Sequence, residues 1–156
     1  MLRGAMPVMQ SRRGVVGGAL SGVVAVALVR PAGASTERLE AAIRAFAGEA
    51  PVGAGRVRLE VPPLVENGNA VPLTVGVDSP MTPGDHVRRI AVFNERNPQP
   101  NVITALLGPR AGRAALSTRI RLSTSQRLVA VAEMSDGRFW SDSAQVVVTL
   151  AACVEG

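Results

Sequence analysis

Apolar and polar residues alternate along much of the chain after residue 55. Every second residue is apolar in 56–61, 71–77 and 114–122, which is the period of a β-strand with one buried face. Shorter runs rich in Val, Leu and Ala indicate further strands. The predicted strands are 56–61, 71–77, 87–93, 102–107, 114–122, 128–134 and 145–150. About seven short strands predict an all-β fold, an antiparallel β-sandwich of immunoglobulin-like type.

Residues that favour turns separate these strands. Asn67-Gly68 is a pair suited to positive φ, and it predicts a tight turn before residue 71. Pro72 lies inside a predicted strand and therefore predicts an edge position or a bulge. The predicted turns are 66–69, 78–85, 94–100, 108–112 and 135–137.

One segment has the helical period instead. Within Ser35–Gly48, apolar residues recur at i, i+3, i+4 and i+7, which predicts an amphipathic helix. Ser35 or Thr36 is expected to cap its start and Gly48 to end it. We expect the helix to cover one end of the sandwich, and a partner-binding helix is the alternative. The apolar residues of the pattern are Leu39, Ala42, Ile43 and Phe46.

The first 34 residues are typical of an export signal of the twin-arginine type. Ser11-Arg12-Arg13 precedes the uncharged run Gly14–Val29, and Ala32-Gly33-Ala34 offers small residues for a cut after Ala34. A membrane anchor is the alternative, but a bilayer span needs about 20 apolar residues, and this run is shorter and rich in glycine. We expect a periplasmic protein with a helix and β-sandwich domain at 35–150, a C-terminal arm at 151–156 and no membrane association.

The high net charge does not indicate a nucleic-acid partner. All 17 basic residues are arginine, and four of them, Arg3, Arg12, Arg13 and Arg30, precede residue 35. After residue 34 the chain has 13 arginines and 12 acidic residues, which gives this part a net charge of +1. One His and one Cys are too few for a metal cage of nitrogen and sulfur ligands. We therefore expect no nucleic acid, no metal and no cofactor.

The candidate functional residue is Cys153, the only cysteine, which stands near the end of the chain. An odd cysteine in an exported protein is buried, paired with another molecule or used. Because Ala151 and Ala152 have little to pack with, we expect an extended arm that reaches about 10 Å beyond Leu150. A cysteine enzyme is disfavoured, since the sole candidate base, His86, has no evident orienting partner.

Two further residues have open interpretations. His86 is expected to be a hydrogen-bonded structural residue, because the chain has no second histidine with which to share a metal. Trp140 belongs either to the core or to a partner interface, two environments in which tryptophan is common.

Several segments together resemble the SoxY family, the periplasmic sulfur carriers of the Sox thiosulfate-oxidising system. The resemblance covers most of the chain after the leader. It is carried, besides the twin-arginine leader, by residues 66–72 (ENGNAVP), 77–82 (VDSPMT), 85–88 (DHVR), 97–100 (NPQP), 117–122 (STRIRL) and 129–140 (VAVAEMSDGRFW).

The resemblance implies an immunoglobulin-like carrier that pairs with a smaller β-rich subunit, SoxZ. In the family the cysteine of the C-terminal arm, here Cys153, holds the sulfur substrate covalently. A haem protein attaches thiosulfate, a metal-dependent hydrolase releases sulfate, and a sulfane dehydrogenase oxidises the remaining sulfur. The carrier itself is not an enzyme.

The tail departs from the family pattern. The usual ending is Gly-Gly-Cys-Gly-Gly, whereas this chain ends Ala-Ala-Cys-Val-Glu-Gly. Ala and Val restrict the backbone more than Gly does, and Glu155 adds a negative charge near the thiol. The alternative function is an immunoglobulin-like interaction module of the periplasm that dimerises through a Cys153 disulfide.

Overall fold

The computed structural model describes residues 32–150 and residue 152. Within them lie one α-helix, nine strands and one 3₁₀ turn, Pro109–Ala111. The other elements are α1 (Ala32–Ala47), β1 (Val52–Ala54), β2 (Val57–Glu60), β3 (Leu64–Asn67), β4 (Val71–Val77), β5 (Val87–Asn94), β6 (Asn101–Leu106), β7 (Ala115–Ile120), β8 (Gln126–Met134) and β9 (Phe139–Leu150).

The strands form the predicted sandwich of two sheets. The larger sheet has the order β1-β9-β8-β5-β6, with β3 also paired to β9, and the smaller sheet has the order β2-β4-β7. The neighbouring strands are antiparallel except for two pairs, because β1 and β3 both run parallel to β9. The all-β class and the immunoglobulin-like architecture are confirmed.

The core lies between the sheets and is built from the alternating residues. In β2 and β4 each second side chain is buried, and the facing strands β5 and β8 supply the other half of the core. Pro72 lies in the central strand of the smaller sheet. Strand β2 reaches only as far as Glu60, opposite Thr74, so Pro72 pairs with β7 alone and has no β2 neighbour that requires an N–H. The expected edge strand was therefore wrong, and proline is tolerated in this central strand because β2 ends before it.

Helix α1 packs on the outer face of the larger sheet. Leu39 is fully buried, and the Phe46 ring meets those of Phe93 and Phe139 edge to face, at 5.8 and 5.9 Å. The Arg89 guanidinium lies over Phe46, 4.4 Å from its centre. The apolar pattern of the helix is confirmed, but its expected place was wrong: it covers a sheet face rather than one end of the sandwich.

The two ends of α1 differ in how well they were predicted. Gly48 has φ of 65° and its N–H bonds to the carbonyl of Arg44, as expected of a helix stop. The expected cap was wrong, because the helix already begins at Ala32. The Thr36 hydroxyl instead donates to the carboxylate of Glu95 at 2.8 Å and fastens the helix to the end of β5.

The turn at 135–137 forms as predicted. Gly137 has φ of 82°, and the amides of Gly137 and Met134 close the turn by bonding to the carbonyls of Met134 and Arg138. The Arg138 side chain donates to Asp136, and this bond lowers the pKa of that exposed carboxyl.

The predicted leader lies almost wholly outside the described residues, and cleavage after Ala34 stays a prediction. Residues 32–34 belong to the first turn of α1. In the part of the chain that the structure describes, no helix has the length and apolar character needed to cross a bilayer.

Candidate functional site at the end of β9

Strand β9 carries the chain directly to the candidate cysteine. It is a single strand of 12 residues, Phe139–Leu150. Two residues further, the N–H of Ala152 donates to the carbonyl oxygen of Leu122 at 3.1 Å, and Ala152 is only 7% exposed. The expectation that Ala152 is free was wrong, since it has both a hydrogen-bond partner and a packed side chain. Cys153, the next residue in the chain, lies outside the described residues.

A second strand supports β9 where it ends. Strand β3 pairs in parallel with β9, with Leu64 opposite Val147 and Asn67 opposite Leu150. It lies on the edge of β9 that faces away from β8, because the N–H of Val147 bonds to the carbonyl of Pro63.

The turn after β3 joins three segments through backbone hydrogen bonds. The N–H of Gly68 donates to the carbonyl of Leu150 at 2.9 Å, and the Gly68 carbonyl accepts from the N–H of Leu122 at 2.8 Å. Leu122 in turn accepts from Ala152. We call these four residues, Gly68, Leu122, Leu150 and Ala152, the arm clamp.

Gly68 is required in the clamp for its small size. A Cβ atom at this position would lie 2.3 Å from the Leu122 carbonyl oxygen, 2.9 Å from the Ala152 nitrogen and 3.2 Å from a Val148 methyl carbon. Two of these are backbone atoms, so a side chain could enter only if the clamp moved. The turn is confirmed, but the expected positive φ was wrong: neither Asn67 nor Gly68 has one.

A buried polar network supports the clamp around Leu122. The Gln126 side chain is fully buried, and its amide donates to Asn97 Oδ1 at 2.8 Å. The same Asn97 oxygen accepts from the N–H of Ser123, and the Asn97 amide donates to the carbonyl of Arg121 at 2.8 Å. Asn97 therefore binds the residues on both sides of Leu122 and fixes the direction of its carbonyl group.

A hydroxyl group completes this support on the β8 side. The N–H of Val148 donates to Ser125 Oγ at 2.9 Å, and the hydroxyl lies 3.4 Å from the Val148 carbonyl. Residues 121–126 are thereby tied to β9 as well as to Gly68. Nothing in the sequence indicates this function of Asn97 or Ser125 beyond their place in turn-forming runs.

Exposed apolar side chains surround the end of β9. In residues 32–150 and 152, four large apolar side chains are strongly exposed, and three of them flank the clamp: Leu64 (58%), Val147 (47%) and Leu150 (63%). We call these three the arm rim. The fourth, Leu106, lies on β6 opposite Arg89, at the far edge and the far end of the same sheet.

His86 is at the other end of the sandwich. It precedes Val87, which pairs with Met134 at the end of β8, whereas the clamp lies beside Gln126 at the start of β8. Eight strand residues separate the two ends, roughly 26 Å. The His86 Nδ1 atom lies 3.1 Å from the Thr82 carbonyl oxygen, and the backbone N–H of His86 donates to the Ser135 hydroxyl. His86 is a hydrogen-bonded residue of a loop, as expected.

Trp140 also lies away from the clamp, near the start of β9. Its ring packs over Gly53, where an added Cβ would come within 3.1 Å of the indole. It is half-buried against the core, and among the described residues its Nε1 has no hydrogen-bond partner. Part of the ring is thus core and part remains at the surface.

The described residues contain no group of three or more His, Cys, Asp or Glu side chains that could hold a metal. The clamp itself offers backbone groups and apolar surface, which position a chain but supply no acid, base or nucleophile.

Comparison with protein families then identifies the chain. The model of the sulfur oxidation protein SoxY matches residues 43–153, from α1 to the candidate cysteine. The chain belongs to the SoxY family. Among solved structures it is similar to the sulfur carrier protein SoxY from Chlorobium limicola f thiosulfatophilum, with 28% identity, a TM-score of 0.63, and coverage of 74% of this chain and 99% of that one. Family and structure together support a carrier role in sulfur oxidation.

Other solved structures share only the fold. A superoxide reductase (neelaredoxin) from Ignicoccus hospitalis is 17% identical with a TM-score of 0.54, covering 60% of this chain and 80% of that one. A putative superoxide reductase from Thermotoga maritima is 21% identical with a TM-score of 0.52, covering 63% and 87%. Comparison with curated protein sequences gives no match.

Proposed function

We propose that this protein is the sulfur-carrier subunit of a thiosulfate-oxidising system and that Cys153 holds the sulfur intermediates covalently. The observation that carries the proposal is the arm clamp. It ends one residue before the only cysteine, within a chain that the SoxY model matches up to that cysteine. The cysteine therefore follows directly on a residue that is anchored to the sheet.

The proposed chemistry needs no catalytic group from the carrier. In the first step the S–H bond of Cys153 breaks and a bond forms between its sulfur and the sulfane sulfur of thiosulfate, giving a cysteine S-thiosulfonate. Two electrons pass to a haem protein and one proton passes to solvent. In the second step a hydrolase adds water, which breaks the bond between the sulfane and sulfone sulfurs. This step releases sulfate and two protons and leaves a persulfide on Cys153. A sulfane dehydrogenase then removes six electrons from the outer sulfur of the persulfide anion, while three water molecules supply oxygen and six protons are released, which gives a cysteine S-sulfonate. A second hydrolysis of this S-sulfonate by water releases sulfate and one proton and returns the Cys153 thiol.

The arm rim supports an interaction with these enzymes. A thiol whose Cα lies about 3.8 Å from an anchored residue reaches an enzyme's active site only if that enzyme contacts the surface beside the arm. Leu64 and Val147 form an exposed apolar pair on one face of β3 and β9, and Leu150 adds exposed apolar area on the other face of β9. Exposed apolar area of this kind supports an interaction site. A stable β-rich partner of the SoxZ type completes the proposed assembly.

Export accounts for the leader. Thiosulfate oxidation by this system takes place in the periplasm, and Arg12-Arg13 with the following uncharged run is suited to the twin-arginine route. A substitution of both residues, Arg12→Lys with Arg13→Lys, is expected to leave the protein in the cytoplasm, and the N-terminal residue of the exported wild type is expected to be Ser35. Export of the variant at the wild-type level would contradict this route.

Reconstituted thiosulfate turnover tests the carrier role. The protein is combined with the SoxZ-like subunit, the haem protein, the hydrolase and the sulfane dehydrogenase, and sulfate release is measured. We expect turnover with the wild type and none with Cys153→Ser, while both bind the SoxZ-like subunit equally. Undiminished turnover with Cys153→Ser would overturn the proposal. A wild type that supports no turnover and forms only a disulfide-linked dimer would favour the interaction module instead.

A further inference from the structure

We propose that Gly68 is a positioning residue that fixes the point at which the substrate arm begins, so that the arm is free only from Cys153 onward. This inference rests on the proposed function for its biological meaning. Its physical content, the anchoring of Ala152, is independent of any sulfur chemistry.

Backbone hydrogen bonds connect Gly68 to the segments on which the arm rests. Gly68 binds Leu150 through its N–H and Leu122 through its carbonyl, and Leu122 accepts the N–H of Ala152. The three bonds measure 2.9, 2.8 and 3.1 Å. They extend the supported part of the chain two residues beyond the last residue of β9.

Position 68 has no space for a side chain. The nearest atom to a Cβ at position 68 would be the Leu122 carbonyl oxygen, and the second nearest would be the Ala152 nitrogen. These are the acceptor and the donor of the bond that holds the arm. An added methyl group therefore acts on that bond before it acts on the rest of the fold.

Gly76 differs from Gly68 in the space around it. Gly76 lies within β4 and, like Gly68, lacks a positive φ, but a Cβ there would meet nothing within 4 Å. Glycine is therefore interchangeable with alanine at position 76 on steric grounds, whereas at position 68 it is not. Gly76→Ala is the matched control for Gly68→Ala.

Anchoring of Ala152 limits the length of free chain that carries the thiol. With the clamp closed, the thiol stays within one residue of the sandwich, and an enzyme must come to the arm rim to meet it. If a larger residue at position 68 breaks the bond between Ala152 and Leu122, the last anchored residue becomes Leu150. The free part of the chain then lengthens by two residues, up to about 7 Å.

Hydrogen exchange of the folded protein tests the inference. The amide of Ala152 is compared with that of Val131 in the central strand β8, in the wild type, Gly68→Ala and Gly76→Ala. We expect Ala152 to be protected in the wild type. Gly68→Ala should raise its exchange by about tenfold, the effect of losing one hydrogen bond, more than it raises that of Val131. The rate at which a bulky maleimide alkylates Cys153 should rise as well, and Gly76→Ala should change neither.

Two results would overturn the inference. One is an unprotected Ala152 amide in the wild type. The other is equal acceleration of Ala152 and Val131 in Gly68→Ala, which would make Gly68 important for overall stability alone. If Gly68→Ala does not fold, Ala152→Pro removes the donated N–H directly, and alkylation of Cys153 at the wild-type rate in that variant would contradict the clamp. None of these measurements depends on sulfur loading, so they stand apart from failure of the carrier role.

Discussion

The N–H of Ala152 donates to the carbonyl oxygen of Leu122 at 3.1 Å, and this bond joins the last described residue before Cys153 to the segment that follows β7. The two residues lie 30 positions apart in the chain. Their contact anchors the chain at Ala152, one residue before the candidate cysteine.

Replacing Ala152 with glycine should loosen the arm. Glycine costs about 0.5–1 kcal/mol more backbone entropy when it is ordered, and loss of the buried methyl group removes about 0.8 kcal/mol of burial. Together these correspond to about a tenfold shift toward the open arm. We expect Cys153 in Ala152→Gly to be alkylated about ten times faster by a bulky maleimide, with the melting temperature nearly unchanged.

The control for this variant is Ala54→Gly, at an exposed position of β1 beside the start of β9. It should leave the alkylation rate at the wild-type value. An equal rate for Ala152→Gly and the wild type would show that Ala152 does not hold the arm.

The arm rim should matter for encounter with the enzymes rather than for folding. Leu64→Ser combined with Val147→Ser replaces two exposed apolar side chains, and surface changes of this kind usually alter stability by less than about 0.5 kcal/mol each. We expect kcat/KM for sulfate release from the loaded carrier to fall about tenfold, as is common when an apolar contact is lost from an interface. Leu106→Ser, at the opposite edge of the sheet, should leave kcat/KM unchanged. Equal effects of the two changes would assign the interaction elsewhere.

Asn97 should couple stability to arm position. Its side chain hydrogen-bonds to Ser123 and Arg121 on either side of Leu122. It also accepts a hydrogen bond from the side-chain amide of buried Gln126. Asn97→Ala leaves buried polar groups without partners, which costs about 1–3 kcal/mol. We expect a lower urea midpoint together with faster exchange of the Ala152 amide. Asn101→Ala, on an exposed side chain, should change neither; loss of stability in Asn97→Ala without faster exchange at Ala152 would contradict the coupling.

Helix α1 should contribute stability without contributing to sulfur loading. Phe46→Ala removes the ring between Phe93 and Phe139, and substitutions of this type cost about 3–5 kcal/mol when the ring is fully buried. Phe46 is partly exposed, so we expect about 2–3 kcal/mol by urea unfolding. The exposed Arg44→Ala in the same helix should cost less than about 0.5 kcal/mol. Loss of partner binding in a folded Phe46→Ala protein would instead favour a partner-binding helix.

Alternation of apolar residues was sufficient to predict the sandwich, because β2, β4, β7 and β8 each bury one regular face or lie wholly in the core. It did not reveal β1 and β3, which are only three and four residues long and lie among Pro and Gly. Their pairing partner, β9, is far away in sequence, and such parallel pairing has no local signature.

The site was predicted in part for the same reason. Cys153 is conspicuous as the sole cysteine, and Asn67-Gly68 marked a turn. The need for glycine at position 68 arises from Leu122 and Ala152, two backbone segments that only the folded sheet brings together. A single sequence indicates that a glycine is present, whereas the close contact that requires it is a property of tertiary structure.

The most direct test of the carrier role is the mass of the C-terminal fragment. Arg138 is the last basic residue, so trypsin releases Phe139–Gly156 with the only cysteine in it. The protein is purified without reductant from cells supplied with thiosulfate and digested with trypsin at neutral pH, again without reductant. We predict sulfane and thiosulfonate adducts on this fragment that fragment ions assign to Cys153, that disappear on reduction and that are absent from Cys153→Ser. A fragment found only unmodified, or only as a disulfide-linked dimer, would contradict the carrier role.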